Sequence, residues 1–210
     1  MRNIRFGMAN MHEHGSAYYD FLRLRKLLFV DTLGWNIPHD DVVEMDQYDN
    51  PTAFYSVVLD DDDRVIGGAR TMPVTARWGD HGCMLSDAMA GKLQGIPSDI
   101  VQEPFDEAHA WECTRLVISD NVGTHDARTR CLSLIVDGLI EIATERGATE
   151  LVSLSPPPLQ RALQRLGHSV TRLGRPYRNA GDGRTYSVLR MEARVARRDG
   201  EGQRNYRAAS

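Results

Sequence analysis

From Tyr18 to Phe29 apolar residues fall at 18, 21, 22, 28 and 29, the i, i+3, i+4 spacing of a helix with one buried stripe, while Arg23 and Lys26 lie off it. The spacing predicts a helix over residues 16–32, stopped near Gly34. "AFYSVVL" and "RVIGGARTMPV" are β-rich runs, and the "DDDDR" between them reads as a hairpin connection. Residues 86–102 are weakly helical or irregular, and "AHAWECTRLVIS" reads as a strand. Residues 127–146 put Cys131, Leu134, Ile135, Leu139 and Ile142 on one face of a long helix ending at Gly147. Strand "TELVSLS" follows, then a helix opened by Pro156–Pro158 and running to Gly167, then strands "SVTRLG" and "TYSVLRMEAR". His12 to His14 falls in an apparent N-terminal loop. The order of elements predicts a mixed α/β domain on one sheet over residues 1–196, with a polar tail at 197–210 expected to be disordered.

Composition narrows the function. With 210 residues, 41% of them hydrophobic, the chain can bury one sizeable core, and a net charge of −4 does not suit a coat for nucleic acid or an anionic membrane. Cys83, Cys113 and Cys131 have no CxxC spacing, the histidines have no metal spacing, and the "DDDD" run lacks the spaced ligands and glycine of a calcium loop. No metal or other cofactor is expected. The N-terminus has no apolar signal core and no run of about 18 apolar residues appears, so a cytoplasmic location without membrane insertion is expected. Arginines at 161, 165, 172, 175, 178, 184, 190, 194, 197 and 198 face only Asp182 and Glu192, a segment able to attract an acidic partner.

Some charges break the pattern. Arg25 lies three residues from Leu22 and four from both Phe21 and Phe29, inside the apolar stripe, where a guanidinium must find a carboxylate or snorkel to water. Alternation puts Ile66, Gly68, Arg70 and Met72 on one strand face, and the two glycines suit a close approach of backbone or ligand. Glu112 and Arg115, an odd number apart, reach one cleft only if a β-bulge lies between them. The available partners for the three arginines are Asp46, Asp49 and Glu112, while Glu44 is expected to be solvated. Phe29 and Trp35 lie nearby, as an aromatic-bearing zwitterionic ligand requires.

Arg25-x-x-x-Phe29, Leu33-Gly34-Trp35, Asp46-Gln47-Tyr48-Asp49, Gly68-Ala69-Arg70 and Glu112-Cys113-Thr114-Arg115 resemble, in order and spacing, the signature of LuxI-type acyl-homoserine-lactone synthases. The resemblance implies a mainly antiparallel sheet flanked by helices, similar to GNAT N-acyltransferases. It also implies a two-act reaction. The amine of S-adenosylmethionine attacks an acyl thioester on acyl carrier protein or coenzyme A. The methionine carboxylate then displaces methylthioadenosine and closes the lactone. S-adenosylmethionine is thus a substrate, not a cofactor.

The implied roles give Glu112 as general base and backbone N–H groups at the bulge as oxyanion donors. Arg25, Arg70 and Arg115 fall to the ion-pair network and substrate positioning, with Asp46 and Asp49 holding them or the cationic end, and Phe29 and Trp35 to an aromatic wall. Met89 and Leu116 stand where the family commonly has phenylalanine, and bear on acyl specificity. Ser153 and Ser155 are acyl-pocket candidates, with an N-cap role as the alternative for Ser155. Arg161 and Arg165 are candidates for docking a carrier protein, or else form a solvated helix face. Two rival readings remain: a related N-acyltransferase acting on another amine, and a catalytically silent ligand-binding relative. The single glycine in "NVGTHDART" does not favour the first, and an intact Glu112 and Arg115 do not favour the second.

Overall fold

Side chains buried on both faces make β2 (Phe54–Leu59) and β3 (Val65–Pro73) interior strands of an eight-stranded sheet in the computed structural model, which describes residues 1–195. The expected disordered tail at 197–210 lies outside the described residues. The other strands are β1 (Arg2–Gly7), β4 (Ala110–Ile118), β5 (Glu150–Ser155), β6 (Val170–Arg172), β7 (Tyr177–Arg178) and β8 (Thr185–Glu192). Their order is β1-β2-β3-β4-β5-β8-β6, with β7 also on β8, and only the β4–β5 pair is parallel. β1 and β7 were not expected, yet Ile4 and Phe6 alternate into the core as a half-buried strand requires.

Helices cover both faces. α1 (Ala17–Arg25) and α2 (Met84–Met89) pack on one core with Phe6, Tyr55, Val57 and Met72. On the other face, α3 (His125–Thr144) and α4 (Pro157–Arg165) pack on a core containing Val58, Ala69, Ile135 and Leu189. The single helix expected over 16–32 is instead α1 followed by a π-helical turn, Lys26–Thr32, and His12 to His14 belong to a 3₁₀ turn rather than a loop. Thr124 caps α3 by accepting the Ala127 N–H, whereas Pro156, not Ser155, precedes α4. Ile66 joins the α3-side core, away from Met72, because the β2–β3 register slips between Val58 and Leu59.

Small residues set the helix–sheet distance. A Cβ on Gly68 would sit 2.9 Å from the Phe21 ring and one on Gly67 2.9 Å from Cys131 Sγ, so the pair admits a helix on each face, not a ligand. Gly138 of α3 is tighter: a Cβ there would lie 2.4 Å from Ser56 Oγ and 2.5 Å from Asn3 Oδ1. Alanine is intrinsically the better helix former by about 1 kcal/mol, but overpacking outweighs that. Gly138→Ala is expected to lower stability by about 1–3 kcal/mol, seen as a lower urea midpoint. A midpoint that stayed or rose would mean that α3 moves freely on the sheet.

Two irregularities in β4 create the site. Arg70 pairs with Thr114 and Gly68 with Val117, leaving Arg115 and Leu116 opposite Ala69 alone. This is the expected β-bulge, and Arg115 there takes φ 56°, a conformation that non-glycine residues adopt at a cost. Ahead of the bulge β4 has already left its parallel neighbour. Only Ala110–Glu112 pair with Glu150–Val152, and the strands then run apart. The sheet is split at its middle.

Candidate active site

The split opens a cavity of about 960 Å³, with Cys113 to Leu116 of β4 on one bank and Ser153 to Ser155 of β5 on the other. On the α1 side its lining includes Phe29, Trp35, Asp46, Gln47, Tyr48 and Met84; on the α3 and α4 side it includes Val136, Leu139, Leu159, Leu163 and Met191. One cavity therefore joins a polar, aromatic end to an apolar one through the sheet.

Behind the polar end lies a closed ring of six alternating charges. Arg25 donates to Glu44 at 2.6 Å, Glu44 accepts from Arg115 at 3.3 Å, and Arg115 donates to Asp46 at 2.7 Å. Asp46 accepts from Arg70 at 2.6 Å, and Asp49 accepts from Arg70 at 2.9 Å and from Arg25 at 2.7 Å, closing the circuit. The acids come from one loop, whose Glu44 N–H donates to the Leu22 carbonyl and whose Asp46 side chain accepts the Tyr48 N–H. Burial by itself would neutralise Asp46 and Asp49, but Arg70 with Arg115 or Arg25 outweighs it and holds both carboxyls below their usual range. Burial likewise opposes the charge on Arg25 and Arg70, and their carboxylate partners win, raising both above the usual guanidinium value. Six charges that cancel cost far less to bury than any one alone.

Three expectations change here. Glu44, expected in solvent, is fully buried, because Arg25 and Arg115 need a third acid and Glu44 lies two residues before Asp46 on the same extended stretch. Arg25, Arg70 and Asp49 do not line the cavity, whereas Arg115 and Asp46 do. Glu112 is no member of the ring. Its carboxylate accepts the backbone N–H groups of Met84 at 2.9 Å and Leu85 at 2.6 Å, at the start of α2.

Complete burial drives the Glu112 carboxyl up to about 7, against the pull of those N–H groups and of Arg70. Met84 and Cys113 line the cavity beside it, while Glu112 does not. Burial pushes the Cys83 and Cys113 thiols up to about 12, so neither is a thiolate nucleophile at neutral pH. Among the described residues no group of His, Cys, Asp and Glu is arranged to hold a metal ion.

The π-helical turn carries Phe29 to the wall, where it stacks on Trp35 with ring centroids 4.9 Å apart, and Arg115 lies 5.4 Å from the Phe29 ring centre and 5.9 Å from that of Trp35. Trp35 Nε1 donates to Asp182 at 2.9 Å, and the Tyr186 hydroxyl donates to the same oxygen. Asp182 and Tyr186 line the cavity. Neither was a candidate from sequence, where Asp182 read as one of two acids in a basic run.

At the apolar end Ser155 donates to Ser153 at 2.9 Å, and both line the cavity. Met89 does not. It lies five positions on from Met84 along α2, which turns it away from the cavity that Met84 faces, and Leu116 is the departure from the family pattern that does line it. Arg161 and Arg165 are exposed on α4.

A split mixed sheet with helices on both faces is a fold that recurs among N-acetyltransferases. A putative N-acetyltransferase from Lactobacillus plantarum shares the fold with a TM-score of 0.53, at 18% identity over 92% of this chain and 99% of that one. The autoinducer synthase family model matches residues 9–198, and the chain belongs to that family. It is similar to an acyl-homoserine-lactone synthase of Acinetobacter nosocomialis, 30% identical over 181 residues, covering 83% of this chain and 91% of the relative. Among solved structures, the CoA-dependent acyl-homoserine lactone synthase MesI superposes with a TM-score of 0.70, at 19% identity over 93% of this chain and 90% of that one. BjaI, a CoA-dependent synthase solved with S-adenosylmethionine and isopentyl-CoA, gives 0.68, at 21% identity over 90% and 82%.

Proposed function

We propose that the chain is an acyl-homoserine-lactone synthase. The observation that carries this reading is the single cavity through the split sheet, charged and aromatic on one face and apolar on the other. S-adenosylmethionine occupies the polar end against Phe29 and Trp35. The acyl chain enters the apolar end past Ser153 and Ser155 toward Val136 and Leu163, which puts the thioester carbonyl between β4 and β5.

The amine loses a proton, attacks the thioester carbonyl and expels the thiol. Glu112 takes the proton through water at the Met84 wall, and N–H groups at the Arg115–Leu116 bulge stabilise the oxyanion. The carboxylate then attacks the carbon bound to the sulfonium, releasing methylthioadenosine and forming the lactone. Arg115, held by Glu44 and Asp46, orients the substrate, while Arg25, Arg70 and Asp49 keep Arg115 and Asp46 in place. The exposed Arg161 and Arg165 suit an acidic carrier protein, and coenzyme A is the other donor. Both substrates are supplied in the cytoplasm, which fits the absence of any membrane-spanning helix among the described residues.

Purified protein is to be mixed with S-adenosylmethionine and a panel of acyl thioesters on coenzyme A and on carrier protein, with mass spectrometry as readout. Methylthioadenosine and acyl lactone are expected in equal amounts. Acyl amide without methylthioadenosine would point to an N-acyltransferase for another amine, and binding without turnover to a silent relative.

A further inference from the structure

The closed ring leaves a substrate charge unanswered. If the proposed activity holds, the cavity receives a permanently charged sulfonium, yet Asp46 is neutralised by Arg70 and Arg115 and Asp49 by Arg25 and Arg70. Asp182, on the turn between β7 and β8, also lines the cavity and makes no ion pair among the described residues. We propose that Asp182 is the counter-ion for the sulfonium of bound S-adenosylmethionine, in a half-cage completed by the rings of Trp35 and Tyr186.

Geometry and general chemistry together favour the sulfonium. Asp182 already accepts from Trp35 Nε1, the Tyr186 hydroxyl and the Arg184 N–H, so its oxygens are held in place and offer charge more than vacant acceptor sites. A sulfonium has no N–H to donate and is recognised by that charge and by aromatic faces. The ammonium must instead shed a proton before it attacks, and a fixed carboxylate beside it would keep it protonated. Partial burial would favour the acid form of Asp182, but the hydrogen bonds from Tyr186, the Arg184 N–H and Trp35, with a smaller pull from the Arg184 charge, outweigh it and hold the group below the usual carboxylate range, so it carries its charge at neutral pH.

The test compares three ligands by calorimetry on the full chain: S-adenosylmethionine, with sulfonium and ammonium; S-adenosylhomocysteine, with ammonium only; and methylthioadenosine, with neither. Asp182→Asn is expected to weaken S-adenosylmethionine about tenfold and leave the other two nearly unchanged. Asp182→Glu is expected to keep much of the preference, which guards against a folding defect in the amide variant. Equal weakening of all three would reduce Asp182 to a brace for Trp35. Equal weakening of the first two alone would assign it to the ammonium, and no change would remove it from the site; each overturns the proposal. Wild-type protein that bound none of the three would sink the underlying activity as well, whereas wild-type binding with an unselective variant sinks only this assignment.

Discussion

Glu44→Gln unfolds at a clearly lower urea concentration than the parent, with stability reduced by about 3–5 kcal/mol, the cost of leaving a buried charge without its partner. The substitution keeps the side-chain shape and removes one negative charge from the ring, so Arg25 Nε and Arg115 Nε face a neutral amide and the buried cluster acquires a net positive charge. Salt screens buried pairs weakly, and the deficit is expected to be similar at low and high ionic strength. Removing the Arg2 side chain from its exposed pair with Asp63 is expected to change stability by less than about 1 kcal/mol. A Glu44→Gln loss below about 1 kcal/mol, the range of exposed pairs, would mean that water reaches the ring.

For Glu112→Gln the expected loss is in turnover: kcat falls by about 10²–10⁴, the usual contribution of a general base, while S-adenosylmethionine binds nearly as before. Because burial lifts the Glu112 carboxyl from 4.5 to about 7, the wild-type kcat should rise with pH through that value, and the variant should lack that limb. Stability carries an independent signature. Between pH 4.5 and about 7 the folded chain keeps a proton that the unfolded chain has lost, so the contribution of Glu112 is complete at low pH and fades as pH rises. Its size is on the order of 3 kcal/mol, and the variant should flatten that slope. Asp46 and Asp49 act oppositely and in a lower window, their support being lost as pH falls below 3.8. If binding and unfolding midpoint collapse together with kcat, Glu112 is only the anchor of α2.

Much of this was legible because it rests on local pattern. Helical spacing exposed Arg25 as a charge inside an apolar stripe, and the odd separation of Glu112 and Arg115 required the bulge that β4 has. The third acid was misassigned. Three inward arginines do require three carboxylates, but Glu112 competes for backbone N–H groups, and nothing local shows that α2 begins beside it. Glu44 was discoverable from its two-residue offset to Asp46, the period that sends both side chains one way along an extended stretch. The π-helical register and the bond from Trp35 to Asp182 were not, since each depends on packing between segments far apart in sequence.

The split between β4 and β5 separates two kinds of substitution. Val136, Leu139 and Leu163 line the apolar end from α3 and α4, while the ring is built from α1, the acidic loop, β3 and β4. Substitutions that lengthen or shorten the apolar end leave every ring partner untouched. The apolar end can therefore be reshaped one residue at a time, whereas any single neutral substitution in the ring strips two other buried charges of a partner.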